Sequence, residues 1–153
     1  MLTAKDIMTK NVITVKPDTS IEELASLLVE NRISGAPVVD DSGNLYGIVT
    51  ENDLISRDKR LHIPTVVSFL DAAIYIESSK KFEQEVKRLT ATKVGEICTR
   101  KVVTVAEDAS ITDIATIMAE KKVYLLPVVR SGKVVGIVGK RDMVKAAALL
   151  RKE

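Results

Sequence analysis

A duplication constrains this chain more than any other feature. Displaced by ninety residues, Asp6–Val39 aligns with Glu96–Val129. The identities include Ile7/Ile97, Thr9/Thr99, the VxTV of Val12–Val15 and Val102–Val105, Asp18/Asp108, Ser20-Ile21/Ser110-Ile111, and the PVV of Pro37–Val39 and Pro127–Val129. Beyond the turn DDSGN, shortened by one residue to RSGK, the register becomes eighty-nine, and GIVTENDL (Gly47–Leu54) returns as GIVGKRDM (Gly136–Met143). Self-similarity of this kind means two copies of one structural unit, so whatever fold one half takes the other takes too.

Each copy reads as the same series of elements. Val12–Val15 is a short extended segment, and Ser20-Ile-Glu-Glu23 is a capping box opening a helix with apolar Ile21, Leu24, Ala25, Leu27 and Leu28 that runs to about Asn31. Ser110-Ile-Thr-Asp113 repeats that start. Pro37–Val39 predicts a short buried strand, Asp41-Ser-Gly-Asn44 a hairpin turn, Leu45–Thr50 the partner strand, and Glu51 the start of a second helix. The expected fold class is α/β: two tandem β-α-β-β-α repeats, residues 1–56 and 93–153, joined by a connector, 57–92. A three-stranded sheet with two helices on one face leaves apolar surface uncovered in about fifty residues, so the halves are expected to pack together. That packing gives a pseudo-two-fold axis with clefts between the repeats. The unrepeated connector predicts helix: Val66, Phe69, Leu70, Ala73 and Ile74 share one face, and Phe82, Val86 and Leu89 continue an apolar stripe.

Composition removes several classes of function. A chain of 153 residues with 46% hydrophobic content can build a core without staples. Its 23 basic and 21 acidic side chains leave a net charge of +2, no electrostatic footprint for nucleic acid or a membrane surface. Three Tyr and two Phe offer little for stacking on single strands. A lone Cys98 forms no internal disulfide and, with the single His62, no metal spacing; a reducing cytoplasm is expected. The opening MLTAKDIMTK lacks the apolar core of a signal peptide, and no apolar run approaches the roughly 18 residues that span a bilayer. Ser/His/Asp, Cys/His, paired-carboxylate and P-loop patterns are missing, so no catalytic role is assigned. His62 reads as a residue at a helix start or interface. Cys98, in the place of Met8, reads as a small buried side chain.

The repeated turn carries the chemistry. Thr50-Glu-Asn-Asp53 is by itself an acidic capping box, a feature contributing on the order of 1 kcal/mol. In the second copy Gly139 removes the hydroxyl and with it the reciprocal cap, yet Asp142 still stands three residues in. A strand end followed by a helix N-terminus offers free N–H groups to a phosphate, and an Asp one turn in can accept both hydroxyls of a vicinal diol such as a ribose. The pattern points to a nucleotide or nucleoside.

The two copies of h-x-x-x-P-V-V, a turn, and G-h-V-x-x-x-D-h resemble the cystathionine β-synthase (CBS) domain, and two in tandem resemble a CBS pair, or Bateman module. The resemblance covers about residues 1–56 and 93–147. It implies a disc-like α/β unit that binds adenosine-containing ligands in inter-repeat clefts, commonly as a homodimer. Residue by residue, it implies that Asp53 and Asp142 are ribose-binding aspartates and that Thr50 supplies the hydroxyl that meets phosphate or ribose. Gly139 departs from the Ser or Thr usual there. Lys140 and Arg141 would supply phosphate affinity by direct charge, whereas Glu51 beside Thr50 repels a phosphate, so unequal sites are expected. By the same resemblance the adenine lies among Ile13, Thr14, Val15, Ile33, Gly35, Ala36 and Pro37 in one copy. In the other it lies among Val103, Thr104, Val105, Val123, Tyr124, Leu126 and Pro127. Part of that set is expected to serve packing alone. Gly35 against Leu125 gives the two pockets different volumes.

The expected function is a regulatory module binding AMP, ADP, ATP or S-adenosylmethionine as a regulatory ligand, without cofactor, metal or catalysis. The regulated target is expected to be a separate, unknown protein acted on in trans, with no nucleic-acid or membrane partner. The alternative is a protein-protein or nucleic-acid-binding module with no small ligand.

Overall fold

The computed structural model describes residues 1–57 and 91–151; residues 58–90, with His62 and the helix expected for the connector, lie outside them. The first half holds α1 (Ala4–Ile7), α2 (Ile21–Asn31), β1 (Gly35–Val39), β2 (Leu45–Thr50) and α3 (Glu51–Arg57). The second holds a 3-10 turn (Val94–Glu96), α4 (Ile111–Lys121), β3 (Leu125–Arg130), β4 (Lys133–Gly139) and α5 (Lys140–Arg151). The mixed α/β architecture of two equivalent repeats is therefore as the duplication requires.

Local signals explain the elements. Ser20 accepts from the Glu23 N–H at 3.1 Å to start α2, and Ser110 accepts from the Asp113 N–H at 3.0 Å to start α4. Both helices end on a cationic residue in the left-handed region, Arg32 (φ 52°) and Lys122 (φ 53°). That conformation costs roughly 1–2 kcal/mol for a side-chain-bearing residue, and a cation at a helix C-terminus partly offsets it. In the second hairpin Ser131 (φ 52°) and Gly132 (φ 79°) are the two central residues of a tight turn whose twist matches the strands. The longer first turn is held by Asp40 Oδ1, which accepts from the Ser42 and Asn44 N–H groups, each at 2.9 Å.

The strands pair in matching registers. Gly35 faces Thr50 and Val38 faces Gly47, with a bulge at Val38/Val39; Leu125 faces Gly139 and Val128 faces Gly136, with a bulge at Val128/Val129. The expected third strand is reduced in each half to one parallel bridge, Val15 to Val38 and Val105 to Val128. The Val15 N–H donates to Pro37 O at 3.0 Å and Val15 O accepts from the Val39 N–H at 2.9 Å; Val105 repeats this at 3.1 and 3.0 Å.

The opening segment of each copy packs on the other copy. Ala4 N–H donates to Ala109 O (2.8 Å), Lys5 N–H donates to Glu107 O (2.9 Å), and Thr9 exchanges two hydrogen bonds with Ile137 at 2.9 and 3.0 Å. Reciprocally, Val94 N–H donates to Thr19 O (2.9 Å), Gly95 N–H donates to Pro17 O (2.8 Å), and Thr99 exchanges two with Ile48 at 2.8 and 2.9 Å. The cores follow the exchange. Val15, Ile21, Leu24, Leu28, Val38 and Val49 are closed by Ala91, Val94 and Ile97. Val105, Ile114, Met118, Leu126, Val128 and Val138 are closed by Ala4, with Ile7 and Met8 packed alongside. Close approach needs glycine where these segments cross: a Cβ on Gly47 would stand 2.7 Å from Thr99 O, and one on Gly136 would run into Met8. Among the described residues no helix is long and apolar enough to cross a membrane.

Candidate functional site

The repeated turns lie where each hairpin ends. In a parallel pairing at Val15/Val38, the residues before Val15 run toward the Gly35 end of β1, and Gly35 faces Thr50 at the end of β2. Ile13, Thr14, Ile33, Gly35, Thr50 and Asp53 thus collect at one end of the first hairpin. Val103, Thr104, Val123, Tyr124, Gly139 and Asp142 collect at the same end of the second.

Asp53 folds back onto the strand end. Its Oδ2 accepts from the Thr50 N–H at 2.9 Å and lies 3.5 Å from the Thr50 hydroxyl. Asp142 does the same to a glycine, its Oδ2 accepting from the Gly139 N–H at 2.8 Å. The expectation that Gly139 abolishes the reciprocal cap is corrected: the hydroxyl half is lost, but the carboxylate half needs only a backbone N–H, which glycine supplies. The other oxygen of Asp142 accepts from Thr9 Oγ1 at 3.3 Å. Thr9 arrives on the exchanged N-terminal segment. An ionised carboxylate has about four lone-pair positions, so these hydrogen bonds orient it without exhausting it.

The two turns meet at Leu125. A Cβ placed on Gly35 would stand 2.8 Å from Leu125 Cδ2 and 3.0 Å from Thr50 Cγ2; one on Gly139 would stand 3.5 Å from Leu125 Cδ1. Gly35 and Leu125 are equivalent positions, so the large side chain of one copy occupies room left by the missing side chain of the other. The asymmetry extends to charge. Lys140 Nζ lies over the Tyr124 ring at 4.2 Å from its centroid, with Tyr124 45% exposed and Arg141 also exposed. The equivalent residues in the first half are the exposed pair Ser34 and Glu51, joined through Glu51 N–H to Ser34 O at 2.8 Å.

The other nominated residues divide by burial. Val15, Ala36, Pro37, Leu126 and Pro127 have core side chains, and the Val15 amide and carbonyl are already used by the sheet. Thr14 is exposed, and Ile33, Thr50, Asp53, Val103, Thr104, Val123 and Asp142 are half-buried, which leaves these with surface to offer. Cys98 is half-buried against Gly47; burial pushes its thiol pKa up, Arg100 opposes this, and the charge of Asp53 adds to it. Arg100 itself lies 3.5 Å from the centroid of the Tyr46 ring and donates through Nε to Tyr46 O at 2.9 Å. Sequence reasoning missed Thr9, whose only signal was its identity with Thr99, and missed the pairing of Lys140 with Tyr124.

Comparison with known proteins agrees with the duplicated fold. The family model described as the CBS domain matches residues 4–60 and again 94–149. Protein MJ1426 of Methanocaldococcus jannaschii is 33% identical over 153 residues, covering 93% of this chain and 89% of that protein. The chloroplastic CBS domain-containing protein CBSX2 of Arabidopsis thaliana is 31% identical over 157 residues, covering 99% of this chain and 66% of that protein. The crystal structure of CBSX2 in complex with AMP superimposes with a TM-score of 0.80 at 28% identity, covering 99% of both chains. The CBS domain pair of protein MJ0100, in complex with 5′-methylthioadenosine and S-adenosyl-L-methionine, gives 0.71 at 28% identity over 98% of both. With its two matched units spanning the larger part of the sequence, this chain belongs to the CBS domain family, as a tandem pair.

Proposed function

We propose that this chain is a non-catalytic regulatory module that binds an adenosine-containing ligand at the turns ending in Asp53 and Asp142. One observation carries the reading: at equivalent strand ends, a carboxylate is held by the backbone N–H three residues before it, so both copies set an acidic group in the same orientation beside a helix start, as a ribose diol requires. The likeness to CBSX2, crystallised with AMP, supports adenosine as the common part of the ligand. Thr14 and Ile33 would flank the base in one copy, with buried Gly35 behind them, and Val103, Thr104, Val123 and Tyr124 in the other. Buried Val15, Ala36, Pro37, Leu126 and Pro127 shape the floor from behind.

The two sites are unequal in the same sense as their charges. Lys140 and Arg141 favour a phosphorylated ligand at the second turn, while Glu51 beside Thr50 favours a ligand with little negative charge at the first. Binding regulates only through differential affinity for two arrangements of the repeats. A homodimer fits the exposed apolar residues Ile55 and Val144, which occupy equivalent positions on α3 and α5 at 68% and 69% exposure. The regulated protein is then a separate chain acted on in trans.

Calorimetric titration with AMP, ATP and S-adenosylmethionine tests the reading. Heat with at least one of them, lost stepwise in Asp53→Ala and Asp142→Ala, is the expected result. A folded protein that gives no heat with any of the three removes it.

A further inference from the structure

Thr9 lies outside every group given a ligand role above, yet its hydroxyl meets one of the two candidate carboxylates. Thr9 Oγ1 donates to Asp142 Oδ1 at 3.3 Å, while the Gly139 N–H donates to Oδ2 at 2.8 Å. One donor on each oxygen fixes the plane of the carboxylate. Thr9 is itself held: its N–H donates to Ile137 O at 2.9 Å, and its O accepts from the Ile137 N–H at 3.0 Å. The neighbouring Met8 fills the space that Gly136 leaves open on β4. The hydroxyl is therefore presented by backbone that cannot drift without breaking the pairing to β4.

A vicinal diol needs two acceptors in one fixed arrangement, and a carboxylate free to rotate offers that arrangement only part of the time. We propose that Thr9 is a positioning residue for the second site, orienting Asp142 so that its remaining lone pairs meet a ribose diol. The inference rests on the reading of Asp142 as a ribose acceptor. It adds that the exchanged N-terminal segment and the ligand share one carboxylate. Occupancy of the second site is thereby linked to the docking of residues 3–9, since a ligand that needs Asp142 oriented also favours the seated segment.

Two measurements on the full chain test this. In calorimetry, Thr9→Val is expected to weaken AMP by about five- to tenfold, the effect of one hydrogen bond of ordinary net strength, as its 3.3 Å length suits. It should leave 2′,3′-dideoxyadenosine monophosphate unchanged, and Thr9→Ser should restore AMP binding. Equal loss for both nucleotides, or no loss for AMP, overturns the proposal. Without ligand, Thr9→Val is expected to lower the melting temperature by about 2–4 °C in the parent chain and not at all in Asp142→Ala. The same drop in both backgrounds shows that the hydroxyl does not act through Asp142 and also overturns it. If the parent chain binds AMP and its dideoxy analogue equally, the ribose reading of Asp142 fails. The ligand-free cycle then still decides whether Thr9 holds the carboxylate.

Discussion

Replacing Gly35 with alanine is expected to destabilise the protein, against the ordinary sign of such a change. In a strand interior with compatible backbone, glycine to alanine gains about 0.5–1 kcal/mol from reduced chain entropy, and Gly35 has no left-handed φ to forbid a side chain. Here the added Cβ would stand 2.7 Å from Val49 O, 2.8 Å from Leu125 Cδ2 and 3.0 Å from Thr50 Cγ2. The two side chains can yield by rotation, but Val49 O belongs to the β2 backbone and moves only with the strand. Overpacking of this kind costs about 1–3 kcal/mol, or about 2–4 °C of melting temperature per kcal/mol in a chain of this size. Leu125→Ala alone, at a half-buried position, is expected to cost about 2 kcal/mol, the low end for a leucine truncation. In the double variant Leu125 no longer collides with the new Cβ while Val49 O still does. The combined loss should fall short of the sum by about 1 kcal/mol. Urea unfolding followed by circular dichroism at constant m reads all three. A Gly35→Ala chain as stable as its parent, or a double variant that is strictly additive, would refute the contact across the repeats.

Three further outcomes follow from the same geometry. Lys140→Glu is expected to weaken ATP by about tenfold or more while leaving adenosine unchanged in parallel titrations, because only the phosphates meet that charge. The Asp6 carboxyl is held below the usual carboxylate range by the Thr3 backbone N–H and then by the Thr3 hydroxyl. A depressed pKa adds stability above the unfolded value and loses it as pH falls through the folded one. The stability lost in Asp6→Asn should therefore be full at neutral pH and fade below about pH 4 in urea titrations. With its thiol pKa raised chiefly by burial, Cys98 should react with iodoacetamide at pH 8 more slowly in the folded chain than in urea; equal rates would place it in water.

Local chemistry was legible in the sequence, and long-range assembly was not. Ser20 and Ser110 announce their helices because a cap acts within four residues, and Leu45–Thr50 matches its strand because the turn and the following acidic residues bracket it. The same rule could have found α1: Thr3-Ala-Lys-Asp6 has the spacing of Thr50-Glu-Asn-Asp53 and folds back in the same way. Nothing in a linear reading places Ala4 in the second core or Ile97 in the first, since those contacts join residues far apart in sequence. Within the site, Asp53 and Asp142 stood out by repetition. Pro37 is buried as the apolar PVV run predicted, but the burial of Val15 and Ala36 depended on how deep the hairpin sits, which that run alone does not fix.

The exchange of opening segments changes what the duplication means. Two copies side by side would each carry a complete core and bind independently. Here each half lacks part of its own core and receives it from the other, so neither sheet is finished until Thr99 has paired with Ile48 and Thr9 with Ile137. The same crossing segments reach the turns: Met8 and Cys98 pack on the glycines of GIV, and Thr9 ends on Asp142. A ligand bound as proposed at one turn would therefore act on a segment continuous in sequence with the other half. On the proposed reading, coupling between the two turns would need no long pathway, because the covalent chain already runs from the edge of one sheet into the first strand of the next.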